Sequence, residues 1–520
     1  MPILQAGSVN NTALIVPDLY VEIVAPQNLI LNGVPTNILG VVGTSNWGPV
    51  GVPVIAGTMA AYYANFGSLI PRKYDMGTQV ATAIQQGAQD FRCVRVSDGT
   101  DTAASTTVPG TAVAITALYT GSLGNQLVAT LRSGSRQSTW SLSVALPGLQ
   151  AEVFDNIGGV GEMFWQNLAS AVNNGIGMQR SSSRLVTIQH NGATASPSTF
   201  SLTLGAAVPG TDGALGVQPA TLVGANGANR SGMQALRGQN CGLLLLADAD
   251  DHQSWVAQAA FALDEGTYAI LTGPAGDTIE NAISVKRATG LDCYCTKLIF
   301  GDWVWWLDQS NGLTRLVSPQ GFIAGRLSNL SPEQSSLNKP IYGVLGSQNS
   351  GQPRSGQSST YSTAELAALF GAGIDVLANP QPAGNFWGAR GGKNTSSDSG
   401  RNGDNYTRLT NFIAKTLSAG MGQYVGQVIN DVLFRNIRGT LLSFLQNMQN
   451  QGILGVLENN VPYSVICDHS NNPASRTGLG YVQADVQIRY QAINEKFIIN
   501  LEGGQTVQVA RQTLPTSQPL

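Results

Sequence analysis

Charged side chains are scarce in this sequence: they make up 11% of its 520 residues, whereas an ordinary soluble domain has about 25%. The net charge of −3 provides no basic surface of the kind that predicts nucleic-acid binding. Long apolar runs are also missing, since no window approaches the roughly 20 apolar residues of a membrane-spanning helix. The first five residues lack the basic and apolar regions of a signal peptide, so we expect a protein made in a cytoplasm and not inserted in a membrane.

Histidine and cysteine are also few, with 3 and 5 residues respectively. An odd number of scattered cysteines argues against a disulfide framework. Cys293 and Cys295 are separated by a single residue, whereas a zinc knuckle usually has about two to four. We therefore expect no metal and no cofactor, and we expect these two cysteines to lie in one strand with residues 298–300.

Glycine and small polar residues are plentiful, with 61 glycines in the chain. A surface that is poor in charge but rich in small polar groups loses little hydration energy when it is buried against copies of itself. This composition favours a protein that functions in an assembly.

The pattern of apolar residues predicts a mixed α/β, multidomain fold. Residues 240–307 alternate apolar strands with helices, which is typical of a Rossmann-like, largely parallel layer. Residues 100–210 are rich in Ser, Thr, Gly and Ala, and contain short strands and one helix at 161–173. We predict a domain formed by both chain ends (27–99 with 400–502), an inserted mainly β domain (100–210), a middle α/β domain (211–399), and terminal arms (1–26 and 503–520).

The C-terminal part has the clearest periodicity. Apolar residues recur at helical spacing in residues 406–417 and 436–451. Residues 463–467, 482–490 and 497–501 follow as predicted strands.

Each arm contains one short alternating strand isolated by Pro or Gly. A lone strand cannot satisfy its own backbone N–H and C=O groups, so it must join a sheet. That sheet can belong to the same subunit or to a neighbouring one. If the strand pairs with a sheet of a neighbouring subunit, the chain links subunits in an assembly. The candidate linker residues are Leu19, Tyr20, Val21, Glu22, Ile23 and Val24 at the start, and Thr506, Val507, Gln508, Val509, Ala510 and Arg511 at the end.

Three fragments have residue types found in catalytic motifs. Residues 248–252 (Asp-Ala-Asp-Asp-His) follow a predicted strand, so an α/β enzyme with a site from Asp248 to His252 is the main alternative function. Acidic residues at this position also cap the following helix, with Ser254 as a further candidate N-cap. The spacing of Gly391, Gly392 and Lys393 does not match a phosphate-binding loop. Residues 468–470 are adjacent in sequence and cannot form a catalytic relay.

Further segments, in this order, match a known family: 17–22 (PDLYVE), 38–44 (ILGVVGT), 47–49 (WGP), 65–67 (NFG), 210–213 (GTDG), 318–321 (SPQG), 324–325 (AG), 386–390 (FWGAR), 467–468 (CD), 471–473 (NNP) and 488–501. Through them the sequence resembles the tail sheath proteins of contractile-tailed bacteriophages and related injection machines. The resemblance implies a structural protein that is not an enzyme. A soluble adhesion protein that binds through the β-rich insert remains a second alternative.

The resemblance also implies partners and a place of action. Sheath proteins form stacked hexameric rings around a tail tube, in a metastable extended state, between a baseplate and a tail terminator. Contraction drives the tube through the host envelope for genome ejection. The resemblance further implies that the protein is assembled in the host bacterial cytoplasm and is located in the virion. It also implies that the terminal arms exchange strands, that the insert protrudes outward, and that the domain formed by the chain ends lies next to the tube.

The tube contact is expected on the C-terminal helices, again by resemblance. Their basic residues are Arg408, Lys415, Arg435 and Arg438. In a chain so poor in charge, these four could form a patch complementary to an acidic tube. A solvated helix face, or compensation of the helix dipole, is the alternative interpretation.

Overall fold

A computed structural model of the chain describes residues 3–5, 21–23, 31, 33–178, 180–349, 361–455, 461–499 and 501. It confirms a mixed α/β architecture. In the described part, no helix is both long and apolar enough to cross a membrane.

The N-terminal half begins with a two-stranded ribbon and then enters the main sheet. Its first elements are β1 (Ile3–Gln5), β2 (Val21–Ile23), β3 (Leu39–Gly43), β4 (Pro53–Ala56), α1 (Met59–Phe66), α2 (Met76–Gln85) and β5 (Phe91–Arg95). The inserted segment follows with β6 (Ser105–Thr107), β7 (Ala114–Ala117), β8 (Val128–Ser133), β9 (Trp140–Ala145), β10 (Glu152–Ile157), α3 (Glu162–Asn174), β11 (Val186–Gln189) and β12 (Phe200–Thr203).

The middle of the chain alternates helices and strands. These elements are α4 (Pro219–Val223), β13 (Leu243–Leu246), α5 (His252–Glu265), β14 (Tyr268–Thr272), α6 (Ile279–Thr289), β15 (Thr296–Ile299), β16 (Val304–Asp308), β17 (Leu313–Val317), α7 (Gln320–Ser328), β18 (Val344–Ser347), α8 (Thr363–Gly371), β19 (Leu377–Ala378) and β20 (Gly388–Ala389). The C-terminal part adds α9 (Asp404–Met421), α10 (Asp431–Asn450), β21 (Tyr463–Ile466), α11 (Ala474–Thr477) and β22 (Asp485–Ile488).

One six-stranded sheet, in the order β15-β14-β13-β3-β5-β4, organises the α/β part. All its strand pairs are parallel except β4 with β5. Alternate side chains of β13 face opposite sides, so Leu244 and Leu246 join the core under α5 and α6, whereas Leu243 and Leu245 join the core under α1, α2 and α7. The parallel layer predicted from the sequence is therefore present.

The predicted domain grouping needs a correction. The sequence predicts one domain from residues 27–99 and 400–502, but β3 pairs with β13 and β5, so strands of the segment 27–99 belong to the same sheet as residues 243–299. The C-terminal helices instead pack in a separate core with β21, β22 and Leu31. The predicted domain boundaries divide a sheet that is continuous in the structure, because sequence patterns identify strands but not their partners.

The inserted segment has its own core, gathered from residues 104–204 and from Trp47 of the α/β part. It contains the sheets β10-β9-β8-β12 and β11-β7-β6 with α3 between two glycines, Gly161 and Gly175. Its two ends lie side by side, since the Asp98 N–H donates to the Gly213 carbonyl at 2.7 Å.

Three local predictions need correction. Residues 497–499 and 501 lie outside any strand, and β22 is shorter than the predicted strand 482–490. Cys293 and Cys295 precede β15 in a turn, where the Cys295 N–H approaches the Cys293 sulfur at 3.3 Å.

Candidate functional site

The N-terminal arm is a ribbon of two parallel strands, in which Ile3 pairs with Val21 and Gln5 with Ile23. Val21, Glu22 and Ile23 thus lie in a strand, whereas Leu19, Tyr20 and Val24 lie outside the described residues. Neither strand pairs with any other described strand. A two-stranded ribbon of this size is at best marginally stable in water, so both of its open edges favour addition of a further strand.

The C-terminal candidate residues, 506–511, lie outside the described residues. Residues 491–499, the last continuous described stretch before them, lie outside any helix or strand and are mostly exposed. Phe497, Ile498 and Ile499 are 79%, 80% and 72% exposed. Consecutive exposed apolar residues of this kind mark an interaction surface.

The four predicted tube-facing cations fall into two groups. Arg408 is buried and donates to the carbonyls of Leu330 and Ser331 at 2.6 and 2.9 Å. Burial lowers its pKa to about 10. Lys415 donates to the Cys241 carbonyl at 2.8 Å, and burial lowers its pKa as well. Both side chains are therefore structural contacts between α9 and the α/β part, and they do not belong to a surface patch.

Arg435 and Arg438 are exposed on α10. They lie one turn apart and are neighbours on the helix surface. The nearby Val432 is 50% exposed. The candidate tube contact is thus reduced to these two cations and the apolar side chain beside them.

The acidic residues of the alternative enzyme site, which runs from Asp248 to His252, have structural roles. Asp248 is buried, accepts from the Gln79 amide at 2.9 Å, and has its pKa raised by burial. Asp250 pairs with Lys73 at 2.9 Å. Asp251 is the N-cap of α5 and accepts from the Ser254 N–H at 3.1 Å, so the capping interpretation is confirmed for Asp251, and Ser254 itself is not the cap. In the described part of the chain, no group of three or more His, Cys, Asp or Glu is placed to hold a metal ion.

The backbone N–H groups of Gly391 and Gly392 already have a hydrogen-bond acceptor within the chain. The N–H groups of Gly391 and Gly392 donate to the Asp375 carboxylate at 2.7 and 2.8 Å. Because an internal carboxylate takes the position of a phosphate, this loop is a structural anion site.

A fully buried charge cluster at the same place was missed by the sequence analysis. Lys297 on β15 contacts Asp375 at 2.6 Å and Asp404 at 3.0 Å, with no exposed surface on any of the three side chains. Although burial opposes ionisation of Asp404, the Lys297 ammonium and hydrogen bonds from Ser336 and Tyr268 lower its pKa. The only sequence signal is a lysine in an otherwise uncharged strand, Thr296–Ile299.

Comparison with known proteins gives a consistent result at the level of the fold. No family model matches the chain. No curated protein matches it either. Among solved structures, a sheath tail protein from Listeria innocua aligns with a TM-score of 0.60 at 13% identity, covering 85% of this chain and 90% of that one.

Two further solved structures are similar. A sheath tail protein from Desulfitobacterium hafniense gives a TM-score of 0.56 at 14% identity, covering 86% of this chain and 93% of that one. The helical sheath of the anti-feeding prophage in its contracted state gives 0.55 at 12% identity, covering 94% and 99%. Because nearly the whole length of each sheath chain is matched, the chain has the fold of the contractile-tail sheath proteins.

Proposed function

We propose that this protein is a tail sheath subunit that polymerises as stacked hexameric rings around a tail tube. The observation that supports it most is the alignment with sheath proteins over at least 85% of the chain. Independently, the arm ribbon β1–β2 pairs with no other described strand, and the apolar residues 497–499 are exposed. They are suited to contacts between copies.

In this function the subunit acts mechanically. The sheath is assembled in the host cytoplasm, is stored in a metastable extended state in the virion, and contracts to drive the tube through the host envelope for genome ejection. Its partners are the tube, the baseplate and a tail terminator. The insert, roughly residues 100–210, faces outward, and the C-terminal helices face the tube.

The arms link the subunits, because strand exchange keeps copies joined while they move. A strand of one copy adds to an open edge of another through main-chain hydrogen bonds, which do not depend on a fixed orientation between the two domains. This mode of contact suits an assembly that must rearrange without falling apart.

Electron microscopy of the purified protein in negative stain tests the function directly. We expect hollow tubes or rings, and an exclusively monomeric protein at every concentration would contradict the proposal. Deletion of residues 1–26 or 503–520 should leave a folded subunit that no longer polymerises. Tubes like those of the intact chain from either truncated variant would contradict the linking role of that arm.

A further inference from the structure

Two of the five cysteines lie together in the turn that leads into β15. The Thr296 nitrogen lies 3.5 Å from the Cys293 carbonyl oxygen and closes this turn, and the Cys295 N–H donates to the Cys293 sulfur at 3.3 Å. Cα atoms two residues apart are separated by at most about 7 Å, and a turn brings them closer, into the range of about 4.4–6.8 Å that a disulfide requires. The backbone of this turn is therefore compatible with a bond between the two sulfur atoms.

The two thiols differ in how easily they ionise. The Cys295 thiol lies within hydrogen-bonding reach of Cys293, and this contact, together with the Cys295 N–H, lowers the pKa of Cys293 below its usual value although burial opposes ionisation. The same contact, together with burial, raises the pKa of Cys295. Because the thiolate is the reactive form of cysteine, Cys293 is the nucleophile of the pair.

The other three cysteines lack this environment. Burial raises the pKa of Cys93, Cys241 and Cys467, and their exposed fractions are only 0%, 2% and 2%. Buried cysteines with raised pKa values are chemically inert. They serve as internal controls in the same chain.

Access to the pair is one-sided and narrow. Cys293 is 9% exposed and follows the exposed Asp292, whereas Cys295 has no exposed surface. A reagent from solvent therefore meets Cys293 first, and the small opening favours a small oxidant. Cys295 can react only with a group that is already attached to Cys293.

The fold holds the turn in this conformation. The Thr395 hydroxyl donates to the Cys293 carbonyl at 2.8 Å, and the Thr407 hydroxyl of α9 donates to the Tyr294 carbonyl. The Tyr294 ring also packs edge-on against Tyr406, with ring centroids 5.8 Å apart. The proximity of the two thiols is thus a property of the folded chain.

We propose that Cys293 and Cys295 form a redox-active thiol pair that hydrogen peroxide converts to an intrachain disulfide. The Cys293 thiolate attacks one peroxide oxygen, the O–O bond breaks, and the departing hydroxide takes up the proton that Cys293 has released, which leaves a sulfenic acid on Cys293. The Cys295 sulfur then attacks the Cys293 sulfur, the S–O bond breaks, and the hydroxyl group leaves with the Cys295 proton as water. In sum, two thiols lose two electrons and two protons, and one peroxide becomes two water molecules. This chemistry does not depend on the proposed function.

Peptide mapping of the intact chain tests the pair. The folded protein is treated with hydrogen peroxide, the remaining thiols are alkylated in denaturant, and tryptic peptides are analysed by mass spectrometry. Residues 288–297 form one tryptic peptide that contains Cys293, Cys295 and no other cysteine. We expect this peptide to lose two hydrogen atoms at least about tenfold faster than Cys93, Cys241 and Cys467 lose their thiols, because thiolate content changes tenfold per pKa unit. Dithiothreitol should restore both thiols, and the preference should disappear when peroxide is added in urea.

Single substitutions then assign the order of the two steps. Cys295→Ser should leave a sulfenic acid on Cys293 that dimedone traps, Cys293→Ser should leave Cys295 reduced, and Cys467→Ser is the matched control that should react like the intact chain. Loss of the Cys295 thiol in the Cys293→Ser variant at the rate of the intact chain would contradict the assigned nucleophile. An unmodified 288–297 peptide, or equal oxidation of all five cysteines in the folded chain, would overturn the proposal. These two results come from the unsubstituted protein, so they hold even if a variant fails to fold.

Discussion

Lys297 on the edge strand β15 is bonded at 3.0 Å to Asp404, the first residue of α9. Helix α9 thus begins inside the α/β core and ends in the C-terminal core, where Leu409 and Ile413 are buried. Tyr268 on β14 donates to the same carboxylate at 2.5 Å. The helix that supports the C-terminal part is therefore fixed to the sheet by buried charges, and the two parts are coupled through it.

We expect Lys297→Met to destabilise the protein by about 3–5 kcal/mol, because it leaves the carboxylates of Asp375 and Asp404 buried without a counter-charge. Urea unfolding measures the loss. Lys393→Met is the matched control, because Lys393 pairs with a partly exposed Glu495 and should cost less than about 1 kcal/mol. Equal effects of the two substitutions would contradict the importance of the buried cluster.

Asp75 should make stability depend on pH. Burial raises its pKa to about 6 from a usual value of 3.8. The folded state thus favours the protonated form, so this contribution to stability is complete below about pH 3.8 and is lost as pH rises through about 6. Asp75→Asn keeps the N-cap of α2 and removes the ionisation.

The stability of Asp75→Asn relative to the intact chain should therefore increase between pH 4 and 6, by up to about 3 kcal/mol, and then stay constant. Free energies of unfolding across this range measure it. A difference that does not change with pH would show that Asp75 is not the titrating group.

Close packing of α2 against α7 depends on a glycine. A Cβ at Gly321 would lie 2.1 Å from the Thr82 hydroxyl oxygen and 2.8 Å from the Gln79 carbonyl oxygen. We expect Gly321→Ala to destabilise the protein by about 1–3 kcal/mol, because the two helices must separate. Gly371→Ala, at a helical position with open space around it, should be neutral or slightly stabilising in the same thermal unfolding assay.

The sequence predicts element types well and long-range partners poorly. The apolar runs of β3 and β13 predict buried parallel strands, but nothing in them indicates that Leu39 pairs with Leu243 across the inserted segment. Lys297 finds its two carboxylates 78 and 107 residues away, a distance that no local pattern encodes. Periodicity predicts α9, but α9 is packed between two cores, so its cations cannot be assigned to a solvent face without the fold.

Removal of the insert should preserve polymerisation at a cost in stability. Its ends lie side by side, so a short Gly/Ser linker can replace residues 100–210. The replacement removes the Thr120 carbonyl, which accepts from the buried Arg95 at 2.6 Å, and uncovers Trp47, which is 1% exposed. Loss of the Arg95 contact alone should cost about 1–3 kcal/mol.

Electron microscopy and thermal unfolding of this deletion variant measure the two effects. Trp47→Gln in the deletion background should improve solubility, because it removes the newly exposed aromatic ring. A remaining chain that no longer folds, even with Trp47→Gln, would show that the insert is required for the subunit core.

The last prediction concerns the tube. Arg435 and Arg438 are exposed neighbours on α10, and an exposed ion pair is worth only about 0–1 kcal/mol. In the proposed sheath, a contact this weak is useful only when it is repeated in every subunit, and its weakness suits release of the tube on contraction. Salt should weaken it further.

We therefore expect Arg435→Glu with Arg438→Glu to impair sheath assembly on isolated tubes at low salt and to leave polymerisation without tubes intact. Co-sedimentation of sheath with tubes at several salt concentrations measures the contact. The same double reversal at Arg132 and Arg136 on the insert controls for the change in net charge. Unchanged assembly on tubes would place the tube contact on another surface, because the double reversal turns the attraction between these two side chains and an acidic tube into repulsion.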